Sequence, residues 1–328
     1  MAALNVTWMN SQICRDIMLL ENQLPYFVLS ELYNITKEPT EERSFRERAI
    51  RVCANSMLPK PRPLSKLLDR ISDDQDIKHL LHLVHVICRP SEPISSENNT
   101  GNSKPFSKFL VRISNDQNIC SRFKQIIYQN HTRNSRGGQI LDQMRSLVEL
   151  KEFGVRFEKV GKVDKRTDGD DDISIFDVKF DKGLMTVPCF RVEDSTETFF
   201  RNLVAYEQHS SDENLHKYFT DFTFFMDQLI NSEKDVKLLR NEGIIVNTLG
   251  DDKQVANLFN KLTAEVIFPH KSEFSEVRKD VNKHCAKTRN EAEAILKRDY
   301  FGSPWTIIST FAAGALLILT VLQTIAAY

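Results

Sequence analysis

The sequence predicts a mainly α fold with a small antiparallel β-hairpin or sheet (α+β), plus one C-terminal transmembrane helix. Three observations lead there. Apolar residues recur at helical spacing through most of the chain. Two alternating stretches flank Asp181-Lys182-Gly183. Trp305 to Ala327 reads WTIISTFAAGALLILTVLQTIAA, without a charged residue.

That last run covers about 34 Å at the helical rise, enough to cross a bilayer core with some tilt. Pro304 stands at its first turn, and Trp305 and Tyr328 bracket it as interface anchors. Lys297 and Arg298 lie upstream and place the preceding domain in the cytosol, although Asp299 dilutes that signal. The expected layout is a mostly helical soluble domain over 1–303 and a membrane tail anchor over 304–328. The N-terminal stretch MAALNVTWMNSQICRDIMLL has no basic start and no unbroken apolar core, so it is not expected to be a signal peptide. Sequons at Asn5, Asn34, Asn98 and Asn130 matter only if the domain lies outside the cytosol.

Composition narrows the function classes. With 27% charged and 41% hydrophobic residues the chain reads as globular. Lys plus Arg number 44 against 45 acidic residues, a balance that gives no broad field for nucleic acid. The six cysteines are scattered without a C-x-x-C pair, which is the usage of reduced, buried thiols.

Taken in order, Arg15 to Tyr33 predicts a helix that stops near Gln23 and a second that starts at Pro25. Glu21, Asn22 and Gln23 are polar inside this apolar segment. Helix-end hydrogen bonding around the proline accounts for them better than a catalytic role for Glu21. Phe45 to Leu58 predicts another helix, ended by Pro59, Pro61 and Pro63. Residues 63–77, PLSKLLDRISDDQDI, are repeated as PFSKFLVRISNDQNI over 105–119. Two copies are too few for a solenoid. A local duplication or an oddity of the gene's exons explains them. The Pro-, Ser- and Asn-rich stretch 89–105 between the copies reads as a flexible loop.

His79, His82 and His85 are spaced H-x-x-H-x-x-H. The outer two sit about 120° apart on a helix, so three ligands to one metal would be strained. Polar or half-buried histidines of an amphipathic helix are the expected reading. Leu141 to Leu150 predicts a helix closed by Gly154, and Val155 to Val160 a strand. Residues 164–172 form an acidic loop. Asp168, Asp170 and Asp172 have calcium-loop spacing, but Lys179 stands where the loop needs Glu, so a solvated loop is expected. Ile173–Phe180 and Leu184–Val192 predict the hairpin. Helices follow: one capped by Asp194, Ser195 or Thr196, a second bearing the stripe from Tyr218 to Ile230, and a third capped by Ser232 and closed by Gly243. Val255 to Val266 gives a fourth. Phe274 to Phe301 reads as a long helix bending into the membrane through Gly302-Ser303-Pro304.

Chemistry is thinly represented. The sequence holds no P-loop, dinucleotide turn, G-x-S-x-G or H-E-x-x-H, and Gly137-Gly138 is isolated. No catalytic, cofactor or metal residues are therefore assigned. The best polar cluster is Arg201-Asn202 with Glu207-Gln208, not all on one helix face. Arg201 and Asn202 are expected to reach Glu21-Asn22-Gln23 across the core as a buried ion pair with amide partners.

DIMLLENQLPYFVLSELY at 16–33, TFFRNLVAYEQ at 198–208 and YFGSPWTIISTFAAGALLILTVLQTIAAY at 300–328 together resemble the plant domain-of-unknown-function 247 family, also called uncharacterised protein family 0481. GVRFE, DVKFDKGLMTVP and the stretch 230–262 support the match, from about Ile13 to Tyr328. The resemblance singles out Leu20, Glu21, Asn22, Gln23 and Pro25, and Arg201, Asn202, Glu207 and Gln208, as structural motif residues. It implies a plant protein with a single-pass C-terminal membrane segment and no established enzyme activity. Some grass members are associated with self-incompatibility recognition, which transfers no site residue. Members usually carry a longer segment before LLENQ, so a shortened chain is expected here. The function expected is that of a non-enzymatic interaction or recognition protein, bound to the lipid bilayer and to a protein partner, with no cofactor and no nucleic acid. The alternatives are a membrane-tethered enzyme using Glu21 or Glu207 with a histidine, and a truncated, degenerate paralogue.

Overall fold

The computed structural model describes residues 7–71, 76–90, 143–162, 172–212, 215–268, 272–287 and 304–326. The chain divides into two units, Met1–Ile94 with Met144–Tyr328, and Ser95–Gln143. Only Gln143 of the second is described, so the architecture that follows is that of the first. Asn5, Asn98, Asn130, Cys120, Gly137-Gly138, the repeat copy at 105–119, most of the loops 89–105 and 164–172, the link 288–303 and Tyr328 lie outside the described residues.

The N-terminal helices follow their punctuation. Helix α1 spans Thr7–Met18, a 3₁₀ turn spans Leu20–Asn22, and α2 spans Tyr26–Thr36 with Pro25 at its N-cap. Proline fits there because the missing amide would be unpaired anyway. Helix α3, Phe45–Ser56, starts where Ser44 accepts a hydrogen bond from the Glu47 amide. Helix α4 spans Leu64–Arg70 within the first repeat copy. Helix α5, Leu80–Cys88, is buried along nearly its whole length, as its apolar composition requires.

The sheet differs in pairing from the expectation. Strands β2 (Lys179–Asp181) and β3 (Leu184–Pro188) form the predicted hairpin, with Asp181 opposite Leu184. Lys182 and Gly183 both have positive φ, 46° and 85°, as a two-residue hairpin turn demands. Strand β1, Arg156–Val160, joins β3 in parallel, so the sheet is mixed rather than purely antiparallel. Beyond Pro188 the strand breaks. Strand β4, Phe190–Val192, turns away to pair in parallel with β5, Ile245–Asn247. Proline carries no amide for the ladder, which is the physical reason for the break.

Helix α6, Leu147–Glu152, begins later than its apolar spacing suggests, because Ser146 and Glu149 form a capping box. Met144 is buried without being helical. Helices α7 (Thr196–His209), α8 (Tyr218–Leu229), α9 (Glu233–Asn241), α10 (Asp252–Leu262) and α11 (Ser275–Cys285) follow. The stripe of α8 is core. Phe219, Phe222 and Phe225 are fully buried and pack with Phe176, Phe200 and Phe274 at ring separations of 4.9 to 6.2 Å. Five described cysteines are free thiols, and burial pushes Cys53 and Cys88 up to about 12, which keeps them unreactive.

Helix α12, Pro304–Ala326, forms where the membrane segment was expected. Among the described residues no helix is long and apolar enough to cross a membrane.

The hairpin tip meets α11. A Cβ at Gly183 would lie 2.8 Å from the His284 ring, and the backbone there already has φ +85°. Gly183→Ala is expected to destabilise the chain by about 1–3 kcal/mol, since both strain and overlap oppose it. Equilibrium denaturant unfolding checks this, with Gly250→Ala as a comparison that has strain but open space.

Candidate functional site

Several polar residues inside this fold close helix ends, often those of helices other than their own. An α-helix leaves its first four amides and last four carbonyls unpaired, and buried ones need partners.

Glu207 on α7 is the clearest case. Its side chain is completely buried. Lys217, the N-cap of α8, supplies no side-chain cap. Glu207 does so instead, accepting from the Phe219 amide at 2.9 Å and the Thr220 amide at 2.8 Å. The Thr220 hydroxyl donates to it at 2.7 Å. On α5, the buried His85 reaches Oε1 through Nε2 at 2.9 Å. His85 Nδ1 is buried with no hydrogen-bond partner, so the ring acts here through Nε2 alone. Gln208, the next residue, donates to the Ile267 carbonyl at 3.0 Å and to Thr220 Oγ1 at 3.4 Å.

The three histidines surround one ring. His79, His82 and His85 lie 5.3, 5.8 and 5.5 Å from the Tyr206 ring centre. His79 caps α5 by accepting from the His82 amide, and His82 Nδ1 accepts from the Lys78 amide at 3.1 Å. Burial holds His82 down at about 4, so it stays an uncharged acceptor. Among the described residues no group of three or more His, Cys, Asp or Glu side chains is placed to hold a metal ion.

The LLENQ stretch is bound into the same scheme. Gln23 donates to the Ile17 and Leu19 carbonyls at 2.7 Å and accepts from the Leu81 amide at 2.9 Å. It thereby ties α1, the 3₁₀ turn and the start of α5 together. Asn22 donates to the Asp16 carbonyl at 3.1 Å. Asn202 accepts from the Leu20 amide at 2.8 Å. The expected ion pair of Arg201 with Glu21 is corrected: Arg201 is exposed and pairs with Glu197 at 2.8 Å, one turn away on its own helix, and Glu21 is exposed. The short amide spans the contact, and the charged groups stay in water, where they cost no desolvation.

Other caps escaped sequence reasoning. Asp235 caps its own helix α9 in a capping box with Ser232 and also accepts from the Val148 amide of α6 at 2.9 Å. Asp221 on α8 accepts from the Glu273 amide at 2.7 Å, just before α11. At the opposite end of α5, Arg62 donates to the Ile87 and Arg89 carbonyls at 2.7 Å, and Arg70 to Ile87 at 2.7 Å. Asp172 accepts from Arg62 at 2.6 Å. Asp172 is therefore no member of a solvated loop; it is the counter-ion of a buried arginine at a helix C-terminus. A signal for Asp221 and Asp235 was present. For Asp235 it is the spacing of three from Ser232, a capping-box pattern; for Asp221 it is only an acid set among core aromatics.

Space for a ligand is small at these groups. The cavity beside Lys60, Arg62, Cys88 and Ser174 has a volume of about 10 Å³, room for about one water. The Glu207–His85 pair has no exposed surface at all.

Such geometry defines a scaffold: an α+β body whose helices are locked by one another's side chains. The family described as "Plant protein of unknown function", DUF247, matches residues 2–319, and the chain belongs to it. The chain is similar to two Arabidopsis thaliana proteins. It is 27% identical to the UPF0481 protein At3g47200 over 98% of this chain and 60% of that protein. It is 25% identical to the putative UPF0481 protein At3g02645 over 96% of this chain and 67% of that one. The chain thus spans about 60% of the first relative's length. No solved structure matches it.

Glu207→Ala is expected to cost about 3–5 kcal/mol, because buried donors on α8 lose their acceptor together. Glu207→Gln keeps one acceptor oxygen and is expected to cost less. Denaturant unfolding of both variants ranks them. The pH dependence has a separate source. Burial pushes Asp221 up to about 7, against the hydrogen bond from the Glu273 amide, so the folded state holds its proton where the unfolded state has lost it. Stability from this group is full below about 4 and falls as pH rises towards 7. His82 acts oppositely, weakening the fold as pH drops from about 6.5 to 4. Asp221→Asn is expected to flatten the loss of stability between pH 5 and 8, read from unfolding midpoints at each pH.

Proposed function

We propose that this chain is a membrane-anchored interaction protein without catalytic chemistry of its own. Its body is presented on the cytosolic face by the single-pass helix α12. One observation carries the reading. Ile308, Phe311, Leu316, Leu317, Ile318, Leu319, Val321, Leu322 and Ile325 on α12 are all more than half exposed. A helix that is apolar on every side calls for a non-aqueous surrounding. The sequence extends this run back through Trp305, and the 23 helical residues carry no charge. Lys297 and Arg298 support the cytosolic orientation.

The interior chemistry agrees with a binding role. Glu207, Asp221, Asp235 and Arg62 are occupied with helix ends, and the Glu207–His85 pair is closed to substrate. Partner recognition then falls to the outer surface.

Alkaline extraction of membranes from cells expressing the chain tests the anchor. The intact chain is expected in the pellet and a chain lacking 304–328 in the supernatant. Release of the intact chain overturns the reading. Asn34 stands exposed on α2 within a sequon, and an endoglycosidase-sensitive mass at Asn34 would reverse the orientation.

A further inference from the structure

Helix α2 has two apolar faces and uses one. With 100° per residue, Tyr26 and Tyr33 point within about 20° of each other. Both rest on Phe45 of α3, with ring separations of 5.1 and 5.7 Å. Tyr33 also donates its hydroxyl to the Arg43 carbonyl. The opposite side carries Phe27, Leu32 and Ile35, exposed by 70, 52 and 78%, with Leu24 just before the helix at 54%. No residue of α2 is buried. An eleven-residue helix of this composition is marginal alone in water. Surface leucines are ordinary singly, but a continuous stripe of this kind marks an interaction site.

We propose that this stripe binds a partner's amphipathic helix bearing a basic residue in the middle of its apolar face. The charge pattern selects that occupant. Glu31 is exposed midway between Phe27 and Ile35, on the same face. Glu21 and Glu38, both exposed, stand beyond the two ends. Two copies of this chain paired through the stripe would set Glu31 against its own copy, in either direction, and like charges face to face oppose that pairing. A bilayer would have to take Glu31 into hydrocarbon, which is costly. A helix with Lys or Arg opposite Glu31 meets both needs: it covers the apolar residues and pairs the carboxylate. The mode is helix against helix, with Phe27, Leu32 and Ile35 as apolar anchors and Glu31 as the charged one.

This assignment deepens the interaction reading above and rests on it. Two synthetic helical peptides test it. Both carry a leucine stripe; one has Lys at the centre and the other Glu. Fluorescence anisotropy follows each against the full chain in detergent micelles. The Lys peptide is expected to bind saturably and at least about threefold more tightly than its Glu twin, the scale of one surface ion pair. Phe27→Ser with Ile35→Ser abolishes binding, while the thermal unfolding midpoint is kept because both side chains are exposed. Glu31→Lys inverts the order of the two peptides. Absence of binding, equal binding of both peptides, binding that survives Phe27→Ser/Ile35→Ser, or unfolding of that variant each overturns the assignment. A chain that still resists alkaline extraction under those outcomes leaves the anchor standing, so the two failures are distinct.

Discussion

A helix end buried in a protein cannot be left open, and this fold is organised by how it closes them. The start of α8 has no capping residue of its own, so it needs an acceptor from elsewhere, and Glu207 is that acceptor. A carboxylate shielded from water would cost several kcal/mol if unpaired. Four donors, including His85 from α5, remove that cost. The one interaction fixes the crossing of α5, α7 and α8, and the aromatic core then fills the space between. Removing the carboxylate leaves donors without acceptors, whereas removing a rim ion pair such as Arg201–Glu197 costs little.

The same device recurs at other joints. Gln23 closes α5 from the N-terminal segment, Asn202 closes the 3₁₀ turn, and Asp235 serves α6 and α9 at once. Arg62 and Arg70 do the converse for the last carbonyls of α5. Stability so arranged depends on many pairs distant in sequence. Leu20 and Asn202 are 182 residues apart, and Arg62 and Asp172 are 110 apart. Such contacts form late in folding, since long loops must close first.

How much of this was legible in the sequence follows from the range of each signal. Local signals were readable. The break at Pro25, the turn at Lys182-Gly183 and the stripe on α8 follow from backbone sterics and apolar period. Non-local ones were not. Nothing near Glu207 says that its donors lie twelve and thirteen residues on and on α5, and nothing in β1 says that it pairs in parallel with β3. Arg201 was misplaced for a reason worth keeping: a charged residue inside an apolar motif need not follow the motif inward when its helix also has a wet side. For His85 the spacing gave no clue, because all three histidines face Tyr206 and the distant Glu207 singles one out.

The contact of the hairpin with α11 has a mechanical meaning. Helix α11 is the last described element before α12. Its His284 lies against Gly183 in the hairpin turn and against the Phe180 ring of the three-residue edge strand β2. Behind β2 stands β3, and behind that β1, bonded in parallel. Helix α11 is thus held on one side by the three-residue strand β2 and on the other by α8, through the Phe274 ring and the Asp221 carboxylate. A pull on α11 would therefore be felt by the hairpin and by the aromatic core together.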